Sequence, residues 1–154
     1  MIKSLKKNNS LHLKNKIINT LMESGKKKTG EKILLKFLKS LQKSTDKNFK
    51  VLLQSAIIHS TSTFKLNEQS IKKGKRKAKK NIPSFIINDS LRIITALKLI
   101  KKVSARNKSS NYFYQSLMAE VLAASASQGQ SVDQKNELQK QILMNKRYLS
   151  KFRW

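Results

Sequence analysis

The stretch STFKLNEQSIKKGKRKAKKNIPSFIINDS, residues 62–90, decides how the chain is organised. Phe64 and Leu66 alternate with polar neighbours, the period of a half-buried strand. Ile82 and Ser84 continue that alternation less cleanly on the far side of KKGKRKAKK (72–80). Pro83 argues against a central strand and allows an edge strand. Gly74 and the flanking apolar residues favour a hairpin tip over a free tail. Residues 64–87 therefore predict a two-stranded arm with a long basic tip. An isolated hairpin is only marginally stable in water, so the arm is expected to be mobile until it binds.

Outward from the arm the period changes to that of a helix. Upstream, Phe49, Leu52, Leu53, Ala56 and Ile57 mark a third helix that fades into the Ser/Thr run at 60–63. Before it, Ile33, Leu34, Phe37, Leu38 and Leu41 mark a second, with Thr29 as candidate cap and KSTDKN (43–48) as the polar break behind it. Leu13, Ile17, Ile18, Leu21 and Met22 mark a first, capped by Ser10 and ended by Gly25. Downstream, Asn88, Asp89 and Ser90 offer caps for a fourth helix facing inward with Leu91, Ile94, Leu97 and Val103. SARNKSSN (104–111) breaks it. Phe113, Leu117, Val121 and Ala124 carry a fifth helix. After QGQS (128–131), Ser131 or Asp133 caps a sixth with Leu138, Ile142, Leu149 and Phe152. The fold class is thus mainly α, a six-helix bundle-like domain with a basic hairpin between helices three and four. Residues 1–9 read as a basic extended arm and 10–154 as a single domain including the hairpin. No internal repeat is visible.

Charge sets the class of partner. The 154 residues carry 34 Lys plus Arg against 8 Asp plus Glu, a formal net charge of +26. A lone protein with that excess repels itself, and a polyanion relieves the repulsion. Nucleic acid is the first candidate and an anionic membrane the second. Only Arg76, Arg92, Arg106, Arg147 and Arg153 are arginines. Lysine suits point contact with phosphate more than bidentate base reading, so backbone and shape recognition is expected. With no cysteine there are no disulfides or thiolate metal sites. No apolar run approaches the roughly 18 residues of a spanning helix. MIKSLKKNNSLHLKNK at the start lacks the apolar centre of a secretory signal, and is lysine-rich where an imported transit peptide favours arginine.

Catalysis has little to work with. His12 and His59 fall in different helices without a carboxylate at helical spacing. Glu23, Glu31, Asp46, Asp89, Asp133 and Glu137 lie near helix ends, those at helix starts suiting a cap or the helix dipole. Glu68 and Glu120 stand alone. GKKKTG (25–30) lacks the spacing of a nucleotide-phosphate loop. No enzyme, cofactor, metal or small-molecule substrate is expected. At KRYLSKFRW (146–154), Tyr148 and Phe152 read as packing residues of the last helix. Arg153 and Trp154 lie beyond it, where cations and aromatic faces suit exposed bases.

LMESGKKKTGEKILLKFL (21–38), MAEVLAASASQGQS (118–131) and NKRYLSKFRW (145–154), in this order and spacing, resemble the small-subunit ribosomal protein seven family over residues 11–154. The hairpin departs from the family's arginine-, glycine- and valine-rich pattern. SIKKGKRKAKKNIP (70–83) keeps mainly Ile82-Pro83 and replaces the tip with plain positive charge.

The resemblance implies a structural protein that binds the 3′ major domain of small-subunit rRNA and nucleates assembly of the subunit head. It implies rRNA contacts at Lys3, Lys6 and Lys7 in the arm and at Lys26, Lys27 and Lys28 in the first loop. In the hairpin it implies Lys65, Lys72, Lys73, Lys75, Arg76, Lys77, Lys79 and Lys80, and around the fourth helix Arg92 and Lys108. Lys75, Arg76, Lys77, Lys146, Arg147, Arg153 and Trp154 would face exit-site tRNA and mRNA. A protein of the eleventh small-subunit family is the implied neighbour. The lysine- and asparagine-rich divergence points to an organellar, mitochondrial version, with a plastid or the bacterial cytoplasm as alternatives. A nucleoid-type DNA-compacting protein fits the composition equally well, with Ile82 or Pro83 as weak wedge residues. A membrane-surface role fits less well, because the helices lack a one-sided Lys/Trp face.

Overall fold

A computed structural model of the chain describes residues 13–45, 48–73, 76–107, 110 and 112–146, with the backbone course alone for 71–73 and 76–80. Among the described residues there are six helices and one antiparallel hairpin. They run α1 (13–21), α2 (Lys27–Ser44), α3 (Phe49–Ser60), β1 (Phe64–Lys73), β2 (Arg76–Phe85), α4 (Asp89–Arg106), α5 (Phe113–Ser125) and α6 (Gln130–Met144). The hairpin lies between α3 and α4, as the change of period at 62–90 predicts.

The helices divide by composition. FKVLLQSAIIHS of α3 and FYQSLMAEVLAAS of α5 are apolar or small around most of their circumference. Such helices bury more than one side. Accordingly α5 touches α2, α3, α4 and α6. Its Leu117, Val121 and Ala124 meet Leu52, Leu53, Ala56 and Ile57 of α3 in the core, with Leu34, Phe37 and Leu41 of α2 and Ile17, Ile18 and Leu21 of α1. Phe37, Leu41 and Ala124 are completely enclosed. The α2, α4 and α6 helices keep a lysine-bearing outer face.

Local chemistry sets most helix ends. Asn48 Oδ1 accepts the Lys50 N–H at 3.0 Å and starts α3; Asn88 Oδ1 does the same for Ser90 at 2.9 Å and starts α4. Four expectations need correction. Thr29 does not cap α2, which begins two residues earlier with Lys26 as an N-cap lacking a side-chain bond. The first helix stops at residue 21, and Ser24 joins Gly25 in the left-handed region, with φ of 50° and 74°. Gly30 then lets α2 pack close: a Cβ there would lie 3.3 Å from the Ile18 carbonyl.

Of the residues expected to face inward from the fourth helix, Leu97 and Val103 are buried and Ile94 is half-buried, while Leu91 is 52% exposed; Ala96, Ile100 and Ser104 complete the buried face. Those buried positions form one i, i+1, i+4, i+7, i+8 stripe. Leu91 sits in the first turn, before α4 reaches the body. In the sixth helix, neither Ser131 nor Asp133 is the N-cap; Gly129 is, and Val132 joins Ile142 among the buried residues. Ser10, Leu149 and Phe152 lie outside the described residues.

Candidate nucleic-acid interface

The hairpin is anchored at its root and leaves the body beyond it. Phe64 and Phe85 are register partners, and their rings meet edge-on at 5.4 Å. Pro83, Ser84 and Ile86 are buried, and the Ile86 N–H donates to the Thr63 carbonyl at 2.9 Å. Asn67 Nδ2 donates to Ser84 Oγ at 3.1 Å. From Glu68 outward the described side chains of β1 are exposed. Each strand has 10 residues, which makes the ladder about 30 Å long.

Its outer half is rich in cations and ends in two like-charged pairs. The register sets Lys73 opposite Arg76, Lys72 opposite Lys77, Ser70 opposite Lys79 and Gln69 opposite Lys80. Like charges directly opposite each other weaken a sheet. Residues 72–80 themselves include no acid. The charge pattern therefore opposes the free arm and favours the arm against a polyanion. Lys75 lies outside the described residues.

The start of α2 repeats the pattern. Lys26, Lys27 and Lys28 are all exposed where the helix dipole is positive, and the first turn holds no acid. Lysines at that end oppose the dipole; a phosphate there would be favoured by both. Lys65 is exposed near the hairpin root, and Lys146 just beyond the last turn of α6. Lys3, Lys6, Lys7, Lys108, Arg147, Arg153 and Trp154 lie outside the described residues.

Arg92 is placed differently from the other expected contacts. Its Nε donates to the Ile86 carbonyl at 2.7 Å, its Nη1 meets Asp89 Oδ1 at 3.2 Å, and its guanidinium lies 5.1 Å from the centre of the Phe85 ring. It clamps the hairpin root to α4, with 24% of its side chain still exposed.

Three lysines that the sequence does not distinguish also hold the body together. Lys16 Nζ donates to Ser90 Oγ at 2.8 Å, Lys101 pairs with Glu23 at 2.9 Å, and Lys135 Nζ donates to the His59 carbonyl at 2.9 Å. No sequence signal finds them, because each partner is far away along the chain. His59 is structural as well: its Nδ1–H donates to the Ala124 carbonyl at 2.9 Å, tying α3 to α5.

Glu120, which stands alone in sequence, does not stand alone in the fold. It is 5% exposed, and its Oε1 accepts the Ser131 N–H at 2.8 Å. A carboxylate on α5 thus caps the N-terminus of α6. Gly129 leaves room for it: its φ is 102°, and a Cβ there would lie 3.0 Å from that oxygen. Among the described residues no group of three or more His, Asp or Glu could hold a metal ion, and no helix is long and apolar enough to cross a membrane.

Comparison with known proteins places this arrangement. The family model described as ribosomal protein S7p/S5e matches residues 2–146. That span begins earlier than the resemblance at 11–154 and stops before Arg147. The small ribosomal subunit protein uS7c of Euglena longa is 30% identical over 148 residues, covering 93% of this chain and 79% of that protein. Because the match runs unbroken through helical body, basic loop and hairpin, the chain belongs to the ribosomal protein S7p/S5e family.

Proposed function

We propose that the chain is a structural constituent of the small ribosomal subunit that binds the 3′ major domain of small-subunit rRNA and nucleates assembly of the subunit head. The observation that carries this reading is the pairing of a family-specific body with a 30 Å-class arm (about ten residues per strand) whose outer half is cationic on both strands. Residues 10–154 act as one RNA-binding domain and 1–9 as its basic arm. The helical body presents Lys26, Lys27, Lys28 and Lys65 to a folded RNA junction. The hairpin lysines and Arg76 neutralise phosphates, with Lys3, Lys6, Lys7 and Lys108 alongside. Arg92 supports the arm from its root while its exposed edge remains open to RNA. Lys75, Arg76, Lys77 and the segment Lys146, Arg147, Arg153 and Trp154 face exit-site tRNA and mRNA. A neighbour of the eleventh small-subunit family completes the surroundings.

The lysine- and asparagine-rich sequence favours a mitochondrial ribosome. A plastid ribosome is the second reading, favoured by the similarity to the Euglena longa protein. Co-sedimentation of the native protein with purified ribosomes from each organelle separates the two.

The test of binding is a competition at two salt concentrations, with labelled 3′ major domain rRNA against length-matched duplex DNA. With about eight phosphates contacted, log affinity falls against log salt with a slope near −6 to −7. Preference for rRNA that survives the higher salt supports the reading. Equal binding that collapses with salt gives the lead to a nucleoid-type DNA-binding role. Lys75→Ala should lower the steepness of the slope by about one; an unchanged slope removes Lys75 from the contacts.

A further inference from the structure

The α2 helix extends the first-loop cations from Lys28 into a stripe whose later members the hairpin and the first loop do not use. Lys28, Lys32, Lys36, Lys39 and Lys43 are spaced by four, four, three and four residues, and all five are exposed. At 3.6 residues per turn they fall within about 80° of arc, over about 22 Å of helix. Like charges at these spacings weaken a helix. Glu31, the helix's one acid, lies off the stripe, and among the described residues no carboxylate pairs with any of the five. Apart from Lys36, which lies over an aromatic ring of α5, no side-chain contact among the described residues uses the stripe.

Beside the stripe stands an aromatic pair. Tyr112 and Tyr114, at the start of α5, stack with ring centres 5.6 Å apart and planes 22° from parallel. Lys36 Nζ lies 6.0 Å from the centre of the Tyr114 ring. The two helices are fixed together just below, where Ser40 and Ser44 donate to Met118 Sδ at 3.1 and 3.6 Å. Tyr112 is 59% exposed although one face rests on Tyr114, so its other face is open. An aromatic face beside a line of point cations matches one ligand chemistry, a single strand of nucleic acid whose phosphates follow the lysines while an unpaired base stacks on the ring.

We propose that the α2 lysine stripe and the Tyr112–Tyr114 stack form a further RNA-binding surface, taking a single-stranded RNA segment with one base on Tyr112. This rests on the rRNA-binding reading and adds to its Lys28 the contacts of Lys32, Lys36, Lys39, Lys43 and Tyr112, which that reading does not contain. Tyr112 acts by its ring face, not by its hydroxyl.

The experiment measures the affinity of the full chain for two probes, the 3′ major domain rRNA and a single-stranded oligoadenylate, each at two salt concentrations. Tyr112→Leu should weaken binding of both by roughly tenfold with the salt slope unchanged, and Tyr112→Phe should bind as wild type. The triple variant Lys36→Ala, Lys39→Ala, Lys43→Ala should flatten the slope by about two to three. Should Tyr112→Leu melt early, the triple variant and Tyr112→Phe carry the test. Wild-type affinity in both the Leu and the triple variant overturns the inference, as does a loss in Tyr112→Phe equal to that in Tyr112→Leu. Variants that bind both RNAs normally yet fail to enter subunits would assign the surface to a protein neighbour, and so overturn it too. If wild type shows no preference for rRNA over duplex DNA, the ribosomal reading fails, while the oligoadenylate arm still decides this one.

Discussion

Replacing Glu120 by alanine tests whether one buried carboxylate holds α6 to the body. Its Oε1 accepts the N–H of Ser131, a residue with no exposed surface, at 2.8 Å. A hydrogen bond to a charged group contributes about 1.5–3 kcal/mol, and loss of the acceptor leaves a buried donor unpaired. A negative charge at a helix N-terminus contributes about 0.3–1 kcal/mol more. Against this, alanine removes the cost of keeping the carboxylate out of water. The net expectation is a destabilisation of about 2–3 kcal/mol. For a chain of 154 residues, an unfolding entropy of about 2.1 cal/mol/K per residue amounts to about 0.3 kcal/mol/K. The melting temperature of Glu120→Ala should therefore fall by about 6–9 °C. Glu120→Gln keeps an oxygen for Ser131 and loses the charge, so it should fall by about 3 °C. Thermal unfolding followed by circular dichroism reads both. An alanine variant that melts with wild type, or a glutamine variant as damaged as alanine, would refute the cap.

Three further outcomes separate the body from the arm. Gly129→Ala should cost about 1–3 kcal/mol in denaturant unfolding, because φ is 102° and the new Cβ would lie 3.0 Å from Ala123 Cβ and Glu120 Oε1; a neutral result would show that the loop relaxes freely. Arg92→Ala should cost about 1–3 kcal/mol, through loss of the Ile86 bond and of the contact with Phe85. The measurement is urea unfolding, and an unchanged midpoint would free Arg92 from the hairpin root. Deletion of residues 72–80 should leave the helical body with a cooperative thermal transition, since the described packing of the hairpin is confined to its root. Loss of that transition would make the arm part of the core.

What the sequence made legible follows from which interactions are local. Strand period, helix period and the choice of a cap among Asn88, Asp89 and Ser90 depend on neighbours within a few residues, and each appears where the pattern puts it. The phase of α4 was legible only in part: Leu97 and Val103 are buried as expected, Leu91 is not. RIITALKLIKKV has apolar residues on more than one side, so period alone does not choose the buried face; packing on α5 selects Ala96, Ile100 and Ser104. The start of α6 was hidden for another reason. Its cap is Glu120, eleven residues back on a different helix, so inspection of Ser131 and Asp133 could only mislead. At the interface, composition showed that cations abound but not which ones the fold consumes. Lys16, Lys101 and Lys135 look like any other lysine until their distant partners are in place.

That division of cations explains how one chain can carry a net charge of +26 and still fold. Arg92, Lys16, Lys101 and Lys135 sit partly buried against carbonyls, hydroxyls or carboxylates, where their charge is compensated locally. The lysines around the start of α2 meet the opposite condition: they lie at the positive end of a dipole, and the outer hairpin sets further cations opposite each other in register. Added salt therefore acts in opposite senses on the free protein and on its complex with RNA. It screens self-repulsion among the uncompensated lysines and so steadies the free protein. It also removes the advantage of releasing counterions from RNA and so weakens the complex. A fold stabilised by its own uncompensated charges could not respond in this way. The lysines that make the free chain uncomfortable are the ones through which a polyanion binds it.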